Sequence, residues 1–233
     1  MGEFVRQTLS KREGYRFLLE NAARYNILSL NSTCNVWCKF CSHQQNPKEV
    51  KALHIPASPL ELTGQAIALL DPHKPVVIGE SVTRIMEGEP FVHPKIKKIM
   101  LMIRERMPLT PIRVTTNGTM LNGEMAQFLA SLGEVTICLS LNSWDPSLRS
   151  FLMGDRRAAT AVKSPLLLKE WSVPFHGSIV AMPHVTGWDD LAGTIKYLDA
   201  CGAETVRVFV PGYTRLAPPD LKVPENLKEQ LDL

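Results

Sequence analysis

The residues with the clearest capacity for chemistry are three cysteines that fall within eight positions, in the run Cys34-Asn35-Val36-Trp37-Cys38-Lys39-Phe40-Cys41. A single loop can wrap three thiolates with this spacing around one metal centre, and iron–sulfur clusters are held by closely spaced cysteines. Structural zinc sites use four ligands, commonly in two separated pairs. The motif therefore favours an iron–sulfur cluster in which one iron lacks a cysteine, and an open metal position is typical of catalysis.

Two simpler interpretations of the motif stay open. His43 lies two residues after Cys41, which is compatible with a zinc site of three cysteines and one histidine. Buried cysteines can also serve only as small core residues. The polar residues 31–33 that precede Cys34 argue against a core role for this loop. Cys138 and Cys201 stand alone in apolar segments, and we expect them to pack in the core.

Composition limits the class of protein. The chain has 233 residues, of which 45% are hydrophobic and 21% charged, enough for a core that needs no disulfide or metal to hold it. A net charge of +3 is far below the concentrated basic charge of a dedicated nucleic-acid binder. The sequence shows neither a signal-peptide pattern nor an apolar run of about 18 residues. We therefore expect a cytoplasmic protein with no membrane partner and no clear nucleic-acid partner.

The hydrophobic pattern alternates between strands and helices, which indicates a parallel sheet with helical crossovers. We predict strands at 27–31, 81–86, 112–116, 135–141, 177–182 and 205–210, with an ambiguous apolar piece at 75–78. We predict helices at 8–24, 57–70, 95–106, 121–132, 158–171 and 188–201, and a short amphipathic segment at 225–233. Active residues of such folds gather at the carboxyl ends of the strands.

The cysteine motif, with an aromatic residue before the third cysteine, resembles the signature of radical S-adenosylmethionine (SAM) enzymes. The segment Glu87-Gly88-Glu89-Pro90 looks like the Gly-Gly-Glu-Pro motif of that superfamily. Thr115-Thr116-Asn117-Gly118 and Ser140-Leu141-Asn142 look like its turns after the third and fourth strands. Order and spacing agree across about residues 26–215, and the core is most similar to the molybdenum-cofactor cyclisation enzyme and its relatives.

This resemblance implies an α/β fold, a partial (β/α)6 TIM-like barrel of the radical SAM type. It also implies three parts of the chain: an N-terminal helical extension over 1–25, the core barrel over 26–215, and a short C-terminal tail or helix over 216–233. Because so little chain follows the sixth predicted strand, we expect an open substrate face. Such a face suits a protein substrate or a separate capping partner, although the sequence identifies no substrate.

The resemblance further implies two cofactors, a 4Fe-4S cluster and SAM. Cys34, Cys38 and Cys41 would bind the cluster, and the amino and carboxylate groups of SAM would chelate its fourth iron. One electron, from a flavodoxin-like or ferredoxin-like donor, would cleave SAM into methionine and a 5′-deoxyadenosyl radical that abstracts hydrogen from the substrate. No protein side chain is assigned as catalytic in its own right.

Contacts to SAM are assigned residue by residue from the same resemblance. Gly88, Glu89 and Pro90 would contact the amino group of SAM. Thr116 and Asn117 would lie beside its methionine portion, and Ser140 near its carboxylate or ribose. Phe40 and Val210 (with Pro211) would contact the adenine, and Ser178 the ribose.

Departures from the family pattern leave alternatives open. Glu87 stands where the first glycine of the motif is usual, and Asn142 stands where Asp is more usual. His176 falls near the position of a lysine that contacts the SAM carboxylate in relatives, so Arg149 and Arg156 are further candidates for that contact. A non-catalytic zinc or iron–sulfur scaffold and a degenerate SAM-binding barrel stay as alternatives, and an activase of glycyl-radical enzymes is a minor one.

Overall fold

The computed structural model describes residues 11–45, 52–80, 83–212, 216–217 and 221–231. The strands are β1 (Val76–Ile78), β2 (Ile112–Thr116), β3 (Val135–Ser140), β4 (Phe175–Val180) and β5 (Val206–Phe209). The helices are α1 (Lys11–Tyr25), α2 (Ser42–Gln45), α3 (Leu60–Ala68), α4 (Ile96–Arg106), α5 (Gly123–Leu132), α6 (Pro146–Met153), α7 (Ala158–Ala161), α8 (Ser164–Glu170), α9 (Pro183–Thr186), α10 (Trp188–Ala200) and α11 (Leu227–Leu231), with a 3-10 turn at Pro90–Val92.

The strands form one sheet in the order β1-β2-β3-β4-β5, so neighbours in the chain are neighbours in the sheet. β1 pairs with β2 in parallel, with Val76 opposite Ile112. β4 pairs with β5 in parallel, with Gly177 opposite Val206. Helices connect the successive strands, as parallel pairing requires. The predicted alternation of strands and helices is therefore confirmed in its central part.

The chain divides into two compact units. The first comprises residues 1–35, 48–116 and 123–137, and the second comprises residues 36–47, 117–122 and 138–233. In the first unit, α4 buries Ile96, Ile99, Met100 and Ile103, the spacing of one apolar helix face. In the second unit, a Cβ on Gly177 would lie 2.6 Å from the Leu198 side chain, so this face of β4 packs directly on α10.

The first two predicted strands differ from the structure. Of residues 27–31, Ile27 alone takes part in a β-bridge, in parallel with Val77 of β1. The predicted strand at 81–86 is wrong over residues 83–86, where Ile85 makes an isolated bridge with Leu53, and residues 81–82 lie outside the described part. The real strand is the ambiguous piece that precedes it. Val76 and Ile78 are fully buried, and such a short apolar run carries no period that distinguishes strand from helix.

The connection between β3 and β4 also differs, because it contains three short helices where one was predicted at 158–171. The first of them, α6, has complete local signals. The Asp145 side chain accepts hydrogen bonds from the backbone N–H groups of Ser147 and Leu148, Pro146 occupies the first turn, and Gly154 ends the helix in the left-handed region. α6 matters for function because its carboxyl end holds the cysteine loop, as described below.

The predicted boundary between core and tail at 215 falls outside the described residues. The three-part division of the chain, at 25 and 215, stays a proposal. Within the described part, no helix is long and apolar enough to cross a membrane.

Candidate functional site

The turn Gly88–Pro90 is bonded, in the first unit, to the segment that leads into Cys34. The Gly88 N–H donates to the Asn31 carbonyl at 2.8 Å, and the Glu89 N–H donates to the Thr33 carbonyl at 2.9 Å. A Cβ added at Gly88 would lie 2.1 Å from the Thr33 carbonyl oxygen. No side chain fits at this position without displacing one of the two segments. The glycine of the motif is therefore required by a close approach of two backbones.

The Glu89 side chain ties the turn to the end of β2. Its Oε1 accepts a hydrogen bond from the Thr116 hydroxyl at 2.7 Å and one from the Phe91 N–H at 3.1 Å. The second bond caps the 3-10 turn that Pro90 begins. Glu89 and Thr116 are both buried, and the structure brings these two predicted site residues together. The capping role of Glu89 was not anticipated, because Glu is not a preferred capping residue.

Gly79 is a residue of this region that the sequence analysis missed. It follows β1 with φ +82°, and a Cβ there would lie 2.6 Å from the Thr115 carbonyl oxygen and 3.2 Å from the Pro90 ring. The carboxyl ends of β1 and β2 therefore meet the motif turn at a place where only glycine fits. A glycine directly after an apolar run can mark the end of a strand. The sequence analysis placed the second strand at 81–86, after Gly79, so it did not use this signal.

Glu87 is accommodated in a buried position, with its carboxyl group hydrogen-bonded to the Ser29 hydroxyl and the Leu30 backbone. Burial raises the pKa of this carboxyl to about 8. The residue that replaces the first glycine of the family motif thus bonds to the segment before the cysteines. With this raised pKa, the Glu87 carboxyl group is mostly protonated, and therefore neutral, at pH 7.

The three motif cysteines lie in a loop without regular structure, directly before α2. Cys34 belongs to the first unit and is exposed, whereas Cys38 and Cys41 belong to the second unit and are half-buried. The Cys41 N–H donates to the Cys38 carbonyl at 3.0 Å, so these two residues share one turn. Among the described residues, no three His, Cys, Asp or Glu side chains are grouped in a metal-ligand arrangement. The assignment of the cysteines as ligands stays a proposal.

Helix α6 positions the second half of the cysteine loop. The Trp37 N–H donates to the Met153 carbonyl at 2.7 Å, and the Lys39 N–H donates to the Leu152 carbonyl at 2.9 Å. Phe40 and Cys38 pack against a buried apolar cluster in the same unit. The members of that cluster are Val36, Leu152, Met153, Met182 and Leu221. Phe40 is thus held by the core of the second unit, and its predicted contact with adenine is untested.

Arg149 organises the turn after β2 and the end of β3 in the second unit. Its guanidinium is completely buried, pairs with Asp155 at 2.8 Å, and donates to the carbonyls of Ser140, Leu141 and Asn117. The sequence analysis considered Arg149 as a contact for the SAM carboxylate. In the structure its charge is matched by Asp155 and directed at backbone carbonyls. Arg156, the other candidate, is exposed.

Two asparagines in the second unit have structural bonds. The Asn117 Oδ1 accepts from the N–H and the hydroxyl of Thr119, which closes the turn after β2. Asn142 adopts φ +65°, a conformation that Asn tolerates, and its Oδ1 accepts from the Val180 N–H at 2.8 Å. Asn142 therefore links the end of β3 to the end of β4 by this hydrogen bond. A carboxylate oxygen of an Asp at this position could accept the same bond.

The remaining predicted contacts lie on β3 and β4 and after β5. Ser140 is the last residue of β3, and Ser178 lies on the face of β4 opposite to α10, together with His176. His176 pairs with Glu204 at 3.6 Å and bonds with the Thr205 hydroxyl, so it is turned toward the start of β5. Val210 directly follows β5 and is exposed. The roles of Ser140, Ser178 and Val210 toward SAM remain predictions.

Comparison with known proteins identifies the family. The profile of the radical SAM superfamily matches residues 28–198 of the chain. The chain belongs to the radical SAM superfamily. This superfamily consists of enzymes whose cofactors are a 4Fe-4S cluster and SAM, and they need an electron donor, so the sequence resemblance is confirmed at the level of family, enzyme class and cofactors.

Curated relatives that the chain matches include GTP 3′,8-cyclases. The enzyme from Microcystis aeruginosa is 29% identical over 58% of this radical SAM chain and 40% of its own length. The enzyme from Peptoclostridium acidaminophilum is 29% identical over 62% of this chain and 45% of its own length. The chain therefore spans less than half the length of the curated relatives that it matches.

Solved structures confirm the fold class, the partial barrel of the radical SAM type. Streptococcus suis SuiB bound to S-adenosylmethionine superimposes with a TM-score of 0.65 at 17% identity, over 94% of this chain and 50% of that chain. Methylornithine synthase superimposes with a TM-score of 0.59 at 14% identity, over 91% and 64% of the two chains.

The residues present fit both cofactors in their chemistry. Three closely spaced cysteine thiols, one exposed and two half-buried, are the soft ligands that an iron–sulfur cluster requires. Beside the motif turn, the Asn31 Oδ1 is buried and has no hydrogen-bond partner in the described part of the chain. An unsatisfied buried acceptor is costly for the folded protein unless a donor reaches it. The ammonium group of SAM is a donor of the kind that this position lacks.

Proposed function

We propose that the protein reductively cleaves SAM at a 4Fe-4S cluster held by Cys34, Cys38 and Cys41. When bound, the cluster supplies one electron to SAM, which yields methionine and the 5′-deoxyadenosyl radical that abstracts hydrogen from a substrate. The carrying observation is the bonding of the Gly88–Pro90 turn to the residues directly before Cys34. This bonding links the proposed amine site to the first proposed ligand through backbone alone.

The proposed roles of the other residues follow from their positions. The Gly88, Glu89 and Pro90 turn would accept hydrogen bonds from the SAM ammonium, with Asn31 as an additional buried acceptor. Thr116 would keep the Glu89 carboxylate in place through its hydroxyl. The residues proposed for the remainder of SAM are Asn117, Ser140, Phe40, Ser178 and Val210. Their backbone surroundings are fixed by Arg149, Asn142 and the core of the second unit.

The experiment that tests this proposal is anaerobic reconstitution with iron and sulfide, reduction by dithionite with SAM present, and chromatographic assay of 5′-deoxyadenosine. We expect its release by the wild-type chain and none by Cys38→Ala, which should also lose most of its iron. Cys201→Ala is the matched control, because Cys201 is buried in the core and lies outside the motif. Full iron retention in Cys38→Ala, or bound zinc without iron in the wild type, would contradict the proposal.

Conversion of GTP is a second candidate, favoured by the cyclases among the relatives. The same reconstituted protein, supplied with GTP, would then release 5′-deoxyadenosine faster and consume the nucleotide. Peptides are the other substrate class to include, since SuiB is known in complex with a precursor peptide. We also propose a cytoplasmic location, because the thiolate ligands of the proposed cluster need a reducing compartment.

A further inference from the structure

The cysteine loop shares its apolar support with the segment 221–231, which is named the C-terminal segment. Leu221 is 2% exposed and belongs to the buried apolar cluster described above. The half-buried side chains of Cys38 and Phe40 pack against the same apolar cluster. The loop from residue 36, α6, α9 and the C-terminal segment all belong to the second unit. A residue that is distant in the sequence therefore shares the packing of a proposed metal ligand.

The backbone of Leu221 is fixed as well as its side chain. The imidazole of His184, on α9, hydrogen-bonds to the Leu221 backbone. Val185, the next residue of α9, packs against the apolar cluster. Leu227, the first residue of α11, is also buried, so the C-terminal segment is anchored a second time. These contacts set the place at which Leu221 enters the apolar cluster.

Hydrogen bonds and packing hold different parts of the cysteine loop. The N–H groups of Trp37 and Lys39 donate to carbonyls of α6, which fixes the backbone on either side of Cys38. The side chains of Cys38 and Phe40 instead meet the apolar cluster. Because protein interiors are close-packed, truncation of a buried leucine leaves a cavity, and the neighbouring side chains gain freedom to move. Loss of Leu221 should therefore release these two side chains more than the loop backbone.

We propose that Leu221 is a positioning residue of the cysteine loop, through which the C-terminal segment keeps Cys38 and Phe40 in the place that cofactor binding requires. The inference rests on the proposed function, in which Cys38 is a ligand of the 4Fe-4S cluster and Phe40 contacts SAM. Leu221 acts through these two side chains and not on either cofactor. A side chain already held in one position loses less conformational entropy on binding, so this support strengthens cofactor binding.

The first test uses the metal-free chain and measures, by mass spectrometry, the rate at which iodoacetamide alkylates each motif cysteine. We expect Leu221→Ala to raise the rate at Cys38 about tenfold and Leu221→Val about threefold, because each cavity gives the loop more freedom to open. Leu221→Met nearly conserves the volume of the side chain, so Cys38 should react as in the wild type. Cys34, which is exposed and belongs to the first unit, is the internal control and should react equally in all variants.

The matched control is Leu168→Ala. Leu168 of α8 is completely buried in the same unit but is not a member of the apolar cluster. This variant should lower the denaturation midpoint as Leu221→Ala does, and the rate at Cys38 should change by less than about twofold. Equal rises at Cys38 in Leu168→Ala and Leu221→Ala would show a general loss of stability and overturn the proposal. An unchanged rate at Cys38 in Leu221→Ala would overturn it as well.

The reconstituted protein separates this inference from the proposed function. We expect Leu221→Ala to release iron to a chelator about tenfold faster than the wild type under anaerobic conditions, and Leu221→Met to release it at the wild-type rate. A wild-type chain that takes up no 4Fe-4S cluster would overturn the proposed function. A wild-type chain that holds the 4Fe-4S cluster, beside a Leu221→Ala variant with unchanged Cys38 reactivity and iron release, would overturn the role of Leu221 alone.

Discussion

The two units fix the backbone of their candidate site segments by different means. In the first, the Gly88–Pro90 turn is fixed by backbone hydrogen bonds to residues 31 and 33 and by the absence of a side chain at position 88. In the second, the turn after β2 and the end of β3 are fixed by one buried side chain, Arg149, which donates to three carbonyls. The first arrangement tolerates no added atom, and the second depends on one charge and its partner. Substitutions in the two places should therefore fail in different ways.

The largest expected effect is loss of the buried pair. Arg149→Met removes the guanidinium and leaves Asp155 buried without its partner. We expect the free energy of unfolding to fall by about 3–5 kcal/mol, measured by denaturant titration. Arg156→Met, which changes an exposed arginine, should alter it by less than about 0.5 kcal/mol. Equal stability of the two variants would show that the carbonyls of the second unit are organised without Arg149.

Gly88→Ala should act mainly on the ligand. The added Cβ cannot fit 2.1 Å from the Thr33 oxygen, so the turn must separate from the segment before Cys34. We expect SAM affinity to fall about a hundredfold, with a stability loss of about 1–3 kcal/mol typical of overpacking. In Gly123→Ala the new Cβ meets nothing within 4 Å, so this variant is the matched control. If Gly88→Ala bound SAM with the affinity of the wild type, the proposal that the backbone of the Gly88–Pro90 turn binds the SAM ammonium would be refuted.

Glu89→Gln separates the charge of this side chain from its bonds. An amide oxygen can still accept from Thr116 and from the Phe91 N–H, so the fold should be retained. The lost negative charge should weaken SAM binding about tenfold, since hydrogen bonds to charged groups are the stronger ones. Glu124→Gln, at an exposed ion pair with Lys97, provides the control. The measurement is equilibrium SAM binding, and an unchanged affinity would remove Glu89 from the amine site.

The last prediction concerns the dependence of stability on pH, which is small for each step of pH. Burial raises the pKa of Glu87 to about 8 from an ordinary value of 4.5. Between these values the folded chain holds a proton that the unfolded chain has lost, so this group's contribution to stability declines as pH rises through that window. The slope is about 1 kcal/mol per pH unit, and Glu87→Gln should abolish it in unfolding titrations from pH 5 to 8. An unaltered slope would mean that Glu87 titrates normally.

The sequence predicted correctly those helices and strands that have a clear hydrophobic period or a recognisable motif. β2 was predicted at its exact bounds, and α4, α5 and α10 within two residues, because each has a clear apolar period between polar turns. β1 was missed because three apolar residues have no period. α6 was missed although Asp145, Pro146 and Gly154 mark both of its ends. Helix-end signals were therefore available where the hydrophobic pattern was weak.

For the candidate site, the sequence located the motif residues but not the interactions that hold them. The pairing of Glu89 with Thr116 joins positions 27 residues apart, and only the fold shows it. The sequence offered Arg149 as a candidate contact for the SAM carboxylate but did not indicate its burial, because a buried arginine is recognisable only by its partner, Asp155. Glu87 was correctly noted as a departure, yet its inward direction toward Ser29 depends on tertiary packing.

The most direct test of the central claim, that SAM binds at a cluster held by the cysteine motif, is the electron paramagnetic resonance spectrum of the reduced, reconstituted protein with and without SAM. We predict the signal of a reduced 4Fe-4S cluster that changes shape when SAM is added, and that stays unchanged by SAM in Gly88→Ala. A cluster signal indifferent to SAM in the wild type, or no cluster signal after full reconstitution, would contradict the account.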